Sequence, residues 1–198
     1  MTRSTRYSAE SKCSVPEVIA ESDRLILRTW DTADRAEYAR HCNTPAVGRH
    51  VGGVQSEEDL NGAFERLEGY QRDTGHTFWV VERKSDGALL GFCGLKVANL
   101  AGTPVDGEVE IGWRLREDSW GQGYAKEAAG AALDWAWANL DAARIVSFTT
   151  PANEPSWGLM ERLGMTRRAD LDFAHPHFAA DHPLSRHITY VIERPARR

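Results

Sequence analysis

The sequence has 198 residues, of which 41% are hydrophobic and 27% are charged. This composition is typical of one globular domain and excludes a disordered chain. The 24 basic and 29 acidic residues give a formal net charge of −5, which argues against non-specific nucleic-acid binding, because that activity needs a basic surface. No apolar run approaches the roughly 20 residues that cross a bilayer, so we expect no membrane partner.

The amino terminus lacks the apolar segment of a secretory signal. The cysteines Cys13, Cys42 and Cys93 show no metal-binding or CxxC spacing, and are expected to be free thiols in a reducing compartment. We therefore expect a cytoplasmic protein in which residues 1–22 form a flexible tail and residues 23–198 form a single domain.

The first half of the sequence alternates between strand and helix patterns. In chain order it predicts a strand over 24–30, a helix capped by Asp31 or Thr32 and ending near Cys42, a loop over 43–53, a helix capped by Ser56 and ending near Asp73, strands over 77–82 and 89–97 joined by a turn at 85–87, and a loop over 99–107.

The second half begins with a strand over 109–115, which places Val109 and Ile111 on one face and Glu110 on the other. The elements that follow are a long helix over 123–139, a strand over 144–150, a helix over 153–163 ended by Gly164, a short strand over 165–168, a loop over 171–185 and a strand over 187–193. This order predicts an α/β domain with a mixed sheet.

A glycine-containing loop, REDSWGQGYAK, joins strand 109–115 to the long helix. Gly121 and Gly123 allow close approach of a ligand, and the free amides of a first helical turn bind anions. The loop is not a Walker motif, and Lys126 stands where a dinucleotide fingerprint needs its third glycine or alanine. A pyrophosphate cradle for coenzyme A and a tight turn without a ligand both remain open from this segment alone.

A second segment, TTPANEPSWGLMERLGM over 149–165, changes that balance. Together with the strand EIGWRL and the loop WGQGYA, it resembles the GNAT N-acetyltransferase superfamily, in the branch of the Rim-type, ribosomal-protein alanine N-acetyltransferase-like enzymes. Trp120 stands where the general pattern has Gln or Arg. The resemblance implies a single α/β domain with a mixed, mostly antiparallel sheet that splays between its fourth and fifth strands and carries helices on both faces.

The resemblance implies acetyl-CoA as co-substrate, held between strands 109–115 and 144–150. The expected binding residues are the backbone of Trp113 and Leu115, the loop and helix start at Trp120, Gly121, Gln122, Gly123, Tyr124 and Ala125, the side chain of Asn153, and Lys126 or Arg162 for a remaining phosphate.

Amine acetylation needs a base, a donor to the carbonyl oxygen and an acid for the thiolate. The resemblance gives Ser156 the acid role, and the alternative is a hydroxyl bonded to the preceding turn. Glu110 is the candidate base, and the alternative is a salt-bridged surface carboxylate.

The histidine-rich segment 171–187 is expected to hold the acceptor. Asp172 and His175 are the candidate contacts to an amine, and the histidines lack the i, i+4 spacing of strong zinc motifs, so no metal site is expected. A metal-binding protein that uses this segment remains a weaker alternative.

The sequence thus predicts an acetyl-CoA-dependent N-acetyltransferase, an acyltransferase whose acceptor is a protein amino terminus or a small-molecule amine. A non-catalytic acyl-CoA sensor or scaffold is the main alternative, and a homodimer remains open.

Overall fold

Nine strands form one sheet in the computed structural model, which describes residues 15–196. In chain order the strands are β1 Val18–Glu21, β2 Leu25–Arg28, β3 Phe78–Arg83, β4 Leu89–Val97, β5 Val109–Leu115, β6 Arg144–Thr149, β7 Thr166–Arg167, β8 Phe173–Ala174 and β9 Arg186–Glu193. The helices are α1 Asp34–Cys42, α2 Pro45–Gly48, α3 Glu57–Thr74, α4 Tyr124–Asn139 and α5 Glu154–Arg162.

The strands lie in the order β1-β2-β3-β4-β5-β6-β9-β7, and β8 also pairs with β9. Every pairing is antiparallel except that of β5 with β6, which is parallel. The expected mixed, mostly antiparallel sheet is confirmed. Because β1 precedes the first expected strand, the strands expected to splay are the fifth and sixth of the molecule.

Helices cover both faces of the sheet, as expected. On one face α4 and α5 pack over a core in which the indoles of Trp79 and Trp135 meet edge to face. On the other face α1 and α3 pack over Val80 and Leu89. This separation assigns each β5 side chain to a side: Ile111 faces α4, and its neighbours in the strand face away from it.

The structure corrects four predictions made from the sequence. Strand β1 lies within residues 1–22, predicted as a tail, and pairs with β2. The predicted loop 43–53 contains α2, which Thr44 begins by accepting a hydrogen bond from the Val47 amide. The predicted loop 171–185 contains β8 at its start. The expected cap of α1 at Asp31 or Thr32 is also wrong, because the N-cap is Ala33. Asp31 instead accepts a hydrogen bond from the Ala33 amide. Cys13 lies outside the described residues.

Candidate active site

Strands β5 and β6 are joined at a single residue pair, Glu110 with Val146. No further pair links them within the part of the chain that the structure describes, although β5 pairs with β4 along its whole length. The two strands therefore separate toward their carboxyl ends, at Leu115 and Thr149. This opening is the splay that the resemblance implies, and it lies where open α/β sheets bind ligands.

The backbone of β5 offers hydrogen-bonding groups to this opening. The Arg116 amide donates to Leu90 O at 2.8 Å, and Glu108 O accepts from Ala98 at 2.8 Å. Even-numbered residues of β5 thus direct their backbone groups toward β4. Because alternate residues of a strand point opposite ways, Trp113 directs its N–H and C=O into the opening.

The start of α4 lies beside the same opening. Gly121 and Gly123 have φ values of 73° and 82°, a region that favours glycine, and no side chain caps the helix. The amides of the first turn of α4 are thus free to bind an anion, and the dipole of the helix adds to that preference. The loop therefore presents free backbone amides, which is what a phosphate cradle requires.

Trp120 changes one expected contact. Its indole Nε1 donates to Leu115 O at 2.8 Å, while half of the side chain stays exposed. The carbonyl of Leu115 is therefore already bonded, so Leu115 offers only its N–H to a ligand in the opening. Trp113 is left as the β5 residue with both backbone groups available.

Asn153 and Ser156 begin helix α5, directly after β6. Asn153 Nδ2 donates to Thr149 Oγ1 at 2.8 Å, which fixes the side chain and leaves its Oδ1 free for a donor. The Ser156 hydroxyl has no hydrogen bond among residues 15–196, so the alternative of a bond to the preceding turn does not hold. Both side chains lie on one helical face, since they are three residues apart.

Sequence reasoning did not single out Thr150, at the carboxyl end of β6. Its Oγ1 is buried and has no hydrogen-bond partner within residues 15–196. An unpaired buried hydroxyl is costly, and here it stands at the border of the opening. Together with the free backbone of Trp113 and the uncapped α4 amides, it fits a ligand rich in amides and phosphates, as coenzyme A is.

Glu110 lies on the opposite face of β5 from Ile111 and is buried. Its carboxylate pairs with Lys96 on β4, its cross-strand neighbour. Burial raises the pKa of Glu110, and the Lys96 cation opposes that rise. The alternative predicted for Glu110 was a salt-bridged surface carboxylate. The salt bridge is confirmed, but the carboxylate is buried and not exposed.

The histidine-rich segment folds over the same face of the sheet. The ring of His175 lies 4.9 Å from that of His187 and 5.0 Å from that of His177. Desolvation, followed by the charges of His187, His177 and Lys96, lowers the pKa of His175 to about 4. This imidazole is thus neutral at pH 7, where it is a weak base that can accept a hydrogen bond.

Asp172, the other candidate acceptor contact, is engaged within the protein. One of its oxygens pairs with Arg167, and the other accepts from the Thr189 amide at 3.1 Å. These bonds tie β7 and the start of β8 to β9, which favours a structural role over contact with an amine.

Neither the cysteines nor a cluster of metal ligands adds reactive groups within residues 15–196. Cys42 and Cys93 are free and buried, and burial raises the pKa of both thiols, that of Cys42 to about 12. Neither is suited to nucleophilic attack. Within residues 15–196, no three His, Cys, Asp or Glu side chains come together as metal ligands, and no helix there is both long and apolar enough to cross a bilayer.

Comparison with known proteins identifies the fold and the family. A family model described as Acetyltransferase (GNAT) domain matches residues 24–166. YnaD of Bacillus subtilis, named an uncharacterized N-acetyltransferase, is 29% identical over 147 residues, covering 73% of this chain and 80% of YnaD.

Two solved structures show the same fold. An acetyltransferase from Agrobacterium tumefaciens has a TM-score of 0.71 and 27% identity, covering 97% of this chain and 99% of that one. RimL, described as a ribosomal L7/L12 alpha-N-protein acetyltransferase in complex with coenzyme A, has a TM-score of 0.71 and 15% identity over 89% of this chain and 98% of its own.

The family match spans the opening, the glycine loop and α5, and it agrees with the geometry of each. Acetyl-CoA-dependent N-acetyl transfer is the general reaction of such proteins. The chain therefore belongs to the GNAT acetyltransferase family and is an acyltransferase that uses acetyl-CoA as co-substrate.

Proposed function

We propose that this protein transfers the acetyl group of acetyl-CoA directly to a primary amine, with both substrates bound at once. The observation that carries the proposal is the opening between β5 and β6, which ends at the uncapped start of α4. The acceptor is a protein amino terminus or a small-molecule amine, and the proposal includes a cytoplasmic location.

Each end of the opening has a binding role. The backbone of Trp113 pairs with the amides of the pantetheine arm as an added strand does, and Asn153 Oδ1 accepts from the same arm. The amides of Gln122, Gly123, Tyr124 and Ala125 surround the pyrophosphate. The exposed side chains of Lys126 and Arg162 are free to meet the remaining phosphate.

Two side chains move protons. Glu110 accepts the proton of the attacking amine, either directly or through water, and its raised pKa suits that task at neutral pH. The new N–C bond forms as the C–S bond breaks, and Ser156 donates a proton to the departing sulfur. Bound acetyl-CoA supplies the activated thioester for this exchange.

One observation favours a second candidate, a non-catalytic acyl-CoA sensor. Glu110 is already paired with Lys96, so its carboxylate must leave this cation before it can reach the proton of an amine. A sensor would keep the binding residues and dispense with the base.

Release of free thiol from acetyl-CoA, measured with a panel of primary amines, separates the two candidates. We expect amine-dependent release by the wild type, and a fall in kcat of about 10²- to 10⁴-fold for Ser156→Ala with almost unchanged acetyl-CoA affinity. Tight acetyl-CoA binding without thiol release for any amine would support the sensor. If Ser156→Ala retains full kcat, the acid is not Ser156.

A further inference from the structure

Arg114 stands apart from the other half-buried arginines of the structure. Within residues 15–196, each of the others reaches a carboxylate or a set of backbone carbonyls, as Arg28 does with Asp34 and Arg194 does with Leu140. Arg114 has only a 3.4 Å contact from its Nη1 to the hydroxyl of Tyr38. A half-buried guanidinium normally needs an anionic partner, because desolvation without pairing is costly.

The side chain of Arg114 lies on the face of β5 that carries the candidate base. Its guanidinium lies over the ring of Phe92, 5.4 Å from the centroid, on the side covered by α1. Glu110 is four residues earlier on the same face, so the two α-carbons are about 13 Å apart along the strand. The start of α4, where the phosphates are expected, packs against the opposite face.

The surface between these residues is flat and aromatic. The rings of Phe78 and Phe92 stack at 5.1 Å, and Phe78 lies over Gly112, where an added Cβ would meet its Cζ at 2.8 Å. Glycine at this position thus allows the ring to lie directly on the strand, which makes the stretch between Glu110 and Arg114 apolar.

On this face Arg114 lacks a carboxylate partner among residues 15–196, whereas Arg28 is held by both Asp34 and Glu82. Glu110 and Lys96 neutralise each other. The α1 groups nearest to Arg114, Tyr38 and Cys42, are uncharged, because burial raises the pKa of both, and the Asp34 carboxylate of α1 is paired with Arg28. Arg114 is left with donors for an anion, and a planar guanidinium matches a carboxylate in shape and in charge.

We propose that Arg114 binds a carboxylate of the acceptor, so that the acceptor is a primary amine that also carries a carboxylate. This inference rests on the proposed function and names its substrate class. The amine lies at the Glu110 end, where its nitrogen attacks the acetyl carbon and its proton passes to Glu110. The carboxylate lies at the Arg114 end, separated from the nitrogen by a chain of several carbon atoms.

Three probes of equal chain length test the inference: 6-aminohexanoate, hexylamine and 1,6-diaminohexane. We expect the wild type to prefer 6-aminohexanoate in kcat/KM. Arg114→Gln should reduce kcat/KM for that probe by about ten- to a hundredfold, the range for loss of a charge-assisted hydrogen bond. It should leave kcat/KM for hexylamine within about twofold of the wild type, and it should leave acetyl-CoA affinity unchanged. Arg114→Lys should lose less, since it keeps the charge without the planar fork.

Arg66→Gln is the matched control, because Arg66 is exposed on α3 and has no carboxylate partner among the described residues. Arg66→Gln should leave kcat/KM unchanged for all three probes. Equal use of the three probes by the wild type, or an equal loss of all three in Arg114→Gln, would overturn the inference and leave acetyl transfer standing. Weakened acetyl-CoA binding in Arg114→Gln would also overturn it, since Arg114 would then contact the co-substrate.

A second readout does not depend on turnover. The acetylated product 6-acetamidohexanoate should bind the wild type in the presence of coenzyme A more tightly than N-hexylacetamide, and Arg114→Gln should abolish the difference. If no amine is acetylated yet this difference is found, the proposed function fails and the carboxylate site stands. If the two amides bind equally, the carboxylate site fails whatever the turnover.

Discussion

The guanidinium of Arg24 lies 2.6 Å from the carboxylate of Glu127, although 103 residues separate them in the sequence. Glu127 also accepts from the Arg24 amide at 2.8 Å and from the Ser22 hydroxyl at 2.7 Å. The same arginine donates to Gln122 O at 3.1 Å. The turn before β2 thus holds the glycine loop and neutralises the one acidic side chain in the first turn of α4.

This pairing predicts an electrostatic effect on coenzyme A binding. Arg24→Met leaves the Glu127 carboxylate uncompensated near the expected pyrophosphate, and a repulsion of about 1 kcal/mol corresponds to roughly fivefold weaker binding. Calorimetry at low salt should show this loss, and Arg24→Met combined with Glu127→Gln should restore affinity. If the double variant binds as weakly as the single one, Arg24 contacts the ligand itself.

A second prediction concerns Gly123. A valine at this position combines a strained φ of 82° with a Cβ that would lie 3.5 Å from the Arg24 guanidinium, at the loop expected to hold the phosphates. Gly123→Val should weaken coenzyme A binding at least tenfold, or about 1.4 kcal/mol. Gly75→Val is the matched control, because Gly75 has a φ of 77° in open space at the end of α3. It should lower the melting temperature similarly and spare affinity, and unchanged affinity in the folded Gly123→Val variant would contradict the cradle.

The buried hydroxyl of Thr150 predicts that its removal raises the stability of the free protein and lowers its affinity for coenzyme A. Thr150→Val removes an unpaired polar atom, so the free protein should gain about 1 to 3 kcal/mol in free energy of unfolding. If the hydroxyl meets coenzyme A, affinity should fall about tenfold in the same variant. Thr77→Val is the control, since Thr77 Oγ1 is also buried and unpaired but lies just before β3. Thr77→Val should raise the free energy of unfolding and leave coenzyme A affinity unchanged. If both variants bind coenzyme A equally well, Thr150 does not contact the ligand.

The pair of Glu110 and Lys96 predicts a shift in the pH profile. A base works when deprotonated, so kcat should fall as the pH drops through the raised pKa of Glu110. Lys96→Met removes the cation that lowers this pKa, so the acidic limb should move to higher pH by about 1 to 3 units. Lys96→Arg keeps the charge and should leave the limb in place. A limb unchanged in Lys96→Met and still present in Glu110→Gln would exclude Glu110 as the base.

Local pattern was enough to predict the elements that border the opening. Strand 109–115, which borders the opening, and its neighbour 89–97 have the predicted bounds, because the first alternates and the second follows a hairpin turn. Helix α2 was missed because four residues are too few for a periodic signal, although Thr44 followed by Pro45 is a start signal for a helix. Strand β1 was missed because it is short and partly exposed.

Side-chain partnerships across the chain could not be predicted in the same way. Lys96 meets Glu110 through a strand register set by the long connection between β4 and β5, and no local pattern fixes such a register. Glu110, Ser156 and Asn153 could be named as candidates from their positions in the sequence motifs. Only the structure shows that Glu110 pairs with Lys96 and that Asn153 donates to Thr149. Asp172 was placed near the acceptor on residue type alone, and its bond to Arg167 depends on how β7 lies beside β9.

The arrangement around β9 has a consequence for synthesis on the ribosome. Strand β6 shares one residue pair with β5 and a full ladder with β9, and β7 and β8 also pair with β9. One wall of the opening is therefore anchored by residues 186–193, which emerge after the other strands of residues 15–196. The nascent chain can fold β1 to β5 early, but it cannot bind its thioester until Glu193 has left the exit tunnel, so activity should appear only after the last strand is released.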